Sequence, residues 1–347
     1  MAIRAISIDD KDEWNEIVKS FPNYDVYYLW QYVVAFQLHG DGIPWLIYFE
    51  NGKNRAINVV MKRDIAEVEY FSGEVEKNKY FDFSTPYGYG GFIFEGKDTS
   101  VLDEEYNQFC KKNNIVCEFV RFHPILNNVK NLENMYLVLD CGNTVCIDLQ
   151  CDILSNCSKE NRNRIRKAKQ EGLEVYWSRD EKLIDEFIEI YESTMDRDHA
   201  SNYYYFKRDF YESILKDLKY NAMFFYTVLK GEIIAVTIIM MCNKMMHYHL
   251  SASRGEYRNL APSNLLLYEV ASFGKEHGFE KFHLGGGVGA QRDNLYKFKK
   301  KFYKGEDLNF FVGKKIFDES SYQMLVDLRY KATSKKIRDG YFPVYRG

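Results

Sequence analysis

Two segments of this chain repeat one another, and the echo constrains the fold more than any other feature. "WLIYFENGKNRAINVVM" (Trp45–Met61) aligns without a gap on "FFYTVLKGEIIAVTIIM" (Phe224–Met240). Gly52, Ala56 and Met61 fall on Gly231, Ala235 and Met240, and Ile57, Val59 and Val60 fall on Val236, Ile238 and Ile239. Each copy alternates apolar residues around a short polar turn containing glycine, the pattern of a β-hairpin. A second pair follows in the same order, "FCKKNNI" (Phe109–Ile115) and "FGKEHGF" (Phe273–Phe279), each closing a helical pattern and leading into a strand. Helical patterns also precede the hairpins: "KDEWNEIVKSF" in the first copy, "EKLIDEFIEIYESTM" and "RDFYESILKDL" in the second. In the latter copy Leu183, Phe187, Ile190 and Tyr191 recur at helical spacing, a face meant for burial. Helix, hairpin, helix, strand, written twice, predicts an α/β fold of mixed α+β sheet units arising by tandem duplication. One domain is expected over residues 1–150 and another over 151–347, joined near residue 150, and "CGNTVCIDLQ" (Cys141–Gln150) reads as the lead into the second.

Composition is that of a globular protein with room for two cores: 347 residues, 46% hydrophobic and 28% charged. The net charge of −3 excludes a global basic field, so any polyanion must be met by a local patch. The seven cysteines contain no C-x-x-C spacing, which excludes a zinc ribbon and fits reduced thiols. Acids occupy the N-terminus where a signal peptide needs an apolar run. The longest apolar stretch, Ile233–Cys242, is half the length of a membrane span. These features point to the cytoplasm, with peripheral membrane contact left open.

Five stretches carry candidate chemistry. "LGGGVGAQRDNLYKFKKKF" (Leu284–Phe302) satisfies G-x-G-x-x-[GA] at Gly285, Gly287 and Ala290. It follows the last expected strand rather than the first, and no sheet-covering helix follows, so it is not read as a dinucleotide loop. Two readings stand: a strand exit, or a loop that lets a ligand approach the backbone at Gly286 and Gly287. "SKENRNRIRKAKQEG" (Ser158–Gly172) is a basic helix with only Ile165 and Ala168 apolar. It is either a solvated face or a phosphate-contacting surface through Arg162 and Arg166. In "HYHLSAS", His247 and His249 stand two apart on a strand; no third ligand is evident, so no metal is expected, and His249 is a candidate acid/base group. A helix opening at Pro262, Ser263 and Asn264 offers amides and a positive dipole end to an anion or carbonyl oxygen. "FSTPYGYGGF" (Phe83–Phe92) and "FVRFHP" (Phe119–Pro124) suit either a closing loop or a groove lined by Tyr87, Tyr89, Arg121 and His123.

Taken in order, "NRIRKAKQEGLEV", "APSNLLLYEVASFGKEHGF", "FHLGGG" and "LYKFKKKF", with "TPYGYGG" and "RFHP", resemble the Fem-type aminoacyltransferase group of the GNAT acyltransferase superfamily. The resemblance implies two GNAT-like domains, with acyl transfer from aminoacyl-tRNA to an amine of a peptidoglycan or other cell-envelope precursor. It leaves as alternatives an acyl-CoA-dependent N-acyltransferase acting on an amino sugar, and a non-catalytic RNA- or glycan-binding protein. No tightly bound cofactor is implied, since the donor is a co-substrate. The Phe-Lys that ends the family's motif falls on Lys299, implying a lysine in the transfer site. The donor would lie near Pro262, Ser263, Asn264, Arg254, Arg258, Gly286 and Gly287, the acceptor near Tyr87, Tyr89, Arg121 and His123, and phosphates on Arg162 and Arg166. Two departures matter. "LWQYVVAF" lacks the basic residue that nucleotide-linked acceptors accompany, and "ASRGEYRNLAPSN" lacks the glycines of the pyrophosphate loop of CoA-dependent relatives.

Overall fold

The structure is a computed structural model that describes residues 2–52, 54–71, 73–332 and 340–347. Contacts divide the chain into two units, one formed by Met1–Asp140 with Phe310–Gly347 and the other by Cys141–Asn309. The second unit therefore opens at Cys141, the first residue of "CGNTVCIDLQ". The expected boundaries, 1–150 and 151–347, need correction: the second unit starts ten positions earlier, and the C-terminal segment belongs to the first unit.

The first unit begins with β1 (Ile3–Ser7), α1 (Lys11–Ser20), α2 (Trp30–His39) and the hairpin β2 (Ile43–Asn51) and β3 (Asn54–Asp64). It continues through β4 (Phe81–Ser84), β5 (Ile93–Glu95), α3 (Ser100–Lys112) and β6 (Ile115–Arg121). The second unit takes up β7 (Leu137–Asp148), α4 (Ile153–Asn156), α5 (Lys159–Gln170), β8 (Glu174–Ser178), α6 (Leu183–Arg197) and α7 (Arg208–Asp217). Then come the hairpin β9 (Ala222–Leu229) and β10 (Glu232–Cys242), β11 (Met245–Ser253), α8 (Pro262–Glu276), β12 (Lys281–Gly285) and α9 (Asn294–Lys300). The chain closes with β13 (Leu308–Ile316) and α10 (Glu319–Ala332) in the first unit.

Strand order makes the duplication explicit. The first unit runs β1-β2-β3-β4-β6-β13 and the second β8-β9-β10-β11-β12-β7. The echoed hairpins β2/β3 and β9/β10 occupy the same place, antiparallel in both. In each unit the next pair is parallel, β4 with β6 and β11 with β12, joined through a helix, α3 or α8. The sixth strand is antiparallel in both, but its origin differs: the first unit draws it from β13, after the second unit, and the second from β7, before it. This exchange explains the displaced boundary. Alternation reveals that a stretch is a strand; it carries no label for the partner a strand will pair with.

Local sequence accounts for the elements that frame the second unit. Lys230 and Gly231 both take positive φ, a two-residue turn whose twist matches the flanking strands. Ser158 caps α5 by accepting from the Asn161 amide, and Gly172 follows the helix at φ 80°. α5 buries Asn161, Ile165 and Ala168, a narrow stripe that packs on α8. Leu265, Leu266, Leu267 and Val270 of α8 meet Phe225, Ile234, Ile239 and Phe282 of the sheet in one core. The first unit has its own, around Phe49, Val60, Phe83, Tyr106 and Val120.

Candidate functional site

The parallel pair of the second unit parts early. β11 and β12 are in register only over Met245–His247 with Lys281–His283. Beyond that, β11 still pairs with β10 to Ser253, and β12 with β7 to Gly285. A register shift in β10/β11 leaves His249 opposite no residue of β10, because Ile238 faces Leu250 and Ile239 faces Tyr248. Such a bulge breaks the two-residue alternation and re-aims the side chains beside it. The expected common face of His247 and His249 is thereby interrupted: His247 is buried, His249 only partly. Desolvation, then the neighbouring His247, pulls the His249 imidazole down to about 3. At neutral pH it is uncharged.

Lys299 lies at the end of this pair. The glycine run leaves β12, turns at Gly285 (φ 75°) and carries the chain to α9, which Asp293 caps by accepting from the Tyr296 amide at 2.8 Å. Within α9, Lys299 is 8% exposed; its Nζ donates to the Gly286 carbonyl at 2.7 Å and stands 5.8 Å from the Tyr248 ring centroid. Desolvation lowers its ammonium from 10.5 to about 8, against the opposing pull of Asp293. Burial raises the Asp293 carboxyl, but the amides of Tyr296, Val288 and Leu295 outweigh it and hold the group below the ordinary range. The other lysines are spent elsewhere. Lys300 binds Asp307 at 2.7 Å, Lys301 binds Glu160 at 2.9 Å and Lys297 is exposed. Phe302 is buried and Phe298 packs partly against the core, which holds the segment in place.

The glycines serve this arrangement more directly than expected. Gly287 has an ordinary φ of −81°, but a Cβ there would stand 2.2 Å from both Asp293 Oδ1 and the Gln291 carbonyl. Its missing side chain makes room for the protein's own cap rather than for a donor. Gly286 would bring a Cβ to 2.9 Å from the Asn143 carbonyl, and its own carbonyl holds Lys299. Asp293 was not singled out from the sequence, although Asp one residue before a helical pattern is a readable cap.

Other expected residues divide. Arg254 is held by Glu186 and Glu189, each at 2.7 Å, by Glu232 at 3.5 Å, and by the Ile233 carbonyl. Surrounded by three carboxylates, it is a structural clamp and not a donor anion site. Arg258 is exposed on the turn before α8. Pro262 opens α8 after Ala261, and no side chain caps the helix there; Ser263 is partly exposed. Asn264 is buried and donates to Asn161 Oδ1 at 2.7 Å, joining α8 to α5 instead of facing a ligand. In the first unit Arg121 donates to the carbonyls of Thr85, Pro86 and Gly88, so it fastens the TPYG loop. His123 is fully buried; its Nε2 is 2.7 Å from Asp25, and Nδ1 accepts from the Leu126 amide. Both therefore depart from the expected acceptor groove. Tyr87 and Tyr89 stay partly exposed, Tyr87 stacked on Phe36 and Tyr89 edge-on to Tyr27 and Phe310.

α5 contributes a cleft of about 310 Å³ lined by Leu154, Arg162, Ile165, Arg166, Lys169 and Tyr268, together with Gln170. Arg162 donates to the Cys157 carbonyl at 2.6 Å, and Arg166 reaches Asn163 at 3.3 Å.

Residues 155–300 match the acetyltransferase (GNAT) domain family, a span lying wholly within the second unit. The second unit matches this GNAT family over most of its length. The tandem GNAT fold extends over the chain, which resembles the crystal structure of FemX at a TM-score of 0.66 and 15% identity, covering 93% of this chain and 99% of FemX. It also resembles a conserved protein from Bacteroides thetaiotaomicron (TM-score 0.57, 12% identity, 90% of this chain and 99% of that one). A third likeness is the C-terminal domain of a protein described as a lysylphosphatidylglycerol synthetase from Agrobacterium fabrum (0.55, 13%, 96% and 99%). No curated protein sequence matches the chain. Among the described residues no helix is long and apolar enough to cross a membrane.

Proposed function

We propose that this Fem-like GNAT protein transfers an aminoacyl group from aminoacyl-tRNA to an amine of a cell-envelope precursor, at the second unit. The observation that carries the reading is Lys299: a buried ammonium fixed on the Gly286 carbonyl, beside the bulge where β11 leaves β12. Unpaired strand backbone at such a parting can bind an extended donor by continuing the sheet. Attack of the neutral amine on the ester carbonyl forms the C–N bond and places negative charge on the carbonyl oxygen. Collapse breaks the C–O bond, and the proton lost by nitrogen leaves with the ribose hydroxyl. Lys299, mostly protonated at pH 7 with its ammonium at about 8, supplies a fixed positive charge to that oxygen.

Acyl-CoA remains the second donor to test, because the matching family is described as an acetyltransferase domain. The engagement of Arg254 by three carboxylates speaks against a pyrophosphate at that arginine. Thermal-shift measurements with charged tRNA, acyl-CoA and UDP-sugars separate the readings, since a ligand of the native state raises the melting temperature. Stabilisation by charged tRNA alone supports the proposal; stabilisation by acyl-CoA alone replaces it with the second reading.

A further inference from the structure

The lining of the cleft between α5 and α8 is of two kinds. Leu154, Ile165 and the partly buried Tyr268 make an apolar floor, while Arg162, Arg166 and Lys169 project from successive turns of α5 along it. Lys169 Nζ lies 4.9 Å from the Tyr268 ring centroid and 2.8 Å from Glu269, so one carboxylate partly offsets the cations. A second concentration of charge adjoins it. Arg162 and Lys304 both reach the Ser155 carbonyl, at 3.5 Å and 2.7 Å, which brings two cations to one oxygen. A flat ring beneath cations matches a nucleotide, whose base stacks while its phosphate is paired. A volume of about 310 Å³ has room for one such unit.

We infer that this cleft binds a phosphorylated nucleotide, with the base on Tyr268 and Ile165 and the phosphate on Arg162, Arg166 and Lys169. The inference rests on the proposed acyl transfer only for its purpose, that of anchoring the donor's carrier away from the reacting ester or thioester. Two carriers present this chemistry: single-stranded RNA, and the adenosine 3′,5′-bisphosphate end of coenzyme A. Stacking without base-edge contacts would tolerate any sequence, so the cleft would grip a carrier rather than read it.

The test is fluorescence anisotropy of the full chain with a labelled short single-stranded RNA and, separately, labelled adenosine 3′,5′-bisphosphate. The probe bound more tightly identifies the source. Arg166→Glu and Lys169→Gln should each weaken binding roughly tenfold or more, and for RNA each should lower the slope of log K against log salt by about 0.7. Tyr268→Leu should weaken binding without changing that slope. Both α5 residues are exposed, so folding should survive, as circular dichroism would verify; Arg166→Gln replaces the reversal if it does not. Lys299→Met should bind both probes as the native chain does. Native affinity in the α5 variants, or native binding to phosphatidylglycerol vesicles but to neither probe, overturns the inference. Failure here is distinguishable from failure of the proposed function. Lost binding in the variants with no acyl transfer by the native protein would sink the function alone. Transfer that depends on Lys299 but is indifferent to Arg166 and Lys169 would sink the cleft alone.

Discussion

Replacing Lys299 by Met should make the protein more stable at neutral pH while disabling it. The folded-state ammonium sits at about 8 against 10.5 for a solvated lysine, because desolvation outweighs the attraction of Asp293. That difference corresponds to about 3 kcal/mol of destabilisation carried by the charged form. The substitution removes it together with the hydrogen bond to the Gly286 carbonyl, worth about 1 kcal/mol. The net gain is about 2 kcal/mol at pH 7. Because the folded value is depressed, the unfolded chain binds more protons between pH 8 and 10.5, and native stability rises with pH across that window. Below pH 8 the cost is present in full; above 10.5 it is gone. Urea denaturation of both proteins from pH 7 to 11 should therefore show the variant ahead at pH 7, its advantage disappearing and then reversing by pH 11. Taking the difference between the two cancels the other titrating groups. A variant less stable at pH 7, or a difference that does not move with pH, would refute the claim that this ammonium is held desolvated.

Three further substitutions test the surrounding geometry. Gly287→Ala should displace Asp293 or Gln291, destabilise the protein by about 1–3 kcal/mol and lower turnover roughly 100-fold through the misplaced lysine, measured by denaturation and single-turnover assay. Arg254→Met should leave donor affinity unchanged and cost about 1 kcal/mol of stability, since it releases partly exposed carboxylates and no ligand; titration with donor checks the first and denaturation the second. Asn264→Ala strands Asn161 Oδ1 in a buried seam between α8 and α5 and should cost about 1–3 kcal/mol, again read from a urea midpoint.

Periodicity and echo make most of the fold legible in the sequence. The two hairpins, α5 with its cap at Ser158 and α8 from Pro262 follow from local patterns that tertiary contacts reinforce. What could not be read is instructive in each case. The exchanged sixth strands leave no mark, since β7 and β13 would alternate identically with either partner. Arg254 stands in a loop that invites an anion, and the carboxylates that claim it come from Glu186 and Glu189 on α6 and Glu232 on β10. Arg121 and His123 carry the residue types of a binding groove, but their partners, the Thr85–Gly88 carbonyls and Asp25, are distant in sequence. A single-residue bulge at His249 undoes a two-residue spacing. In every instance the residue type was informative and its partner was not.

The central claim is that the Lys299 ammonium stabilises the transition state of acyl transfer. Single-turnover transfer from aminoacyl-tRNA, measured with the native chain and with Lys299→Met under saturating donor, tests it most directly. Loss of one preorganised charge of this kind costs about 3–4 kcal/mol, a fall of roughly 100–1000-fold in rate, with donor affinity little changed. The native rate should also fall above pH 8 as the ammonium loses its proton, a limb that the variant lacks. A variant that turns over at close to the native rate, or one that keeps the same alkaline limb, would contradict the account.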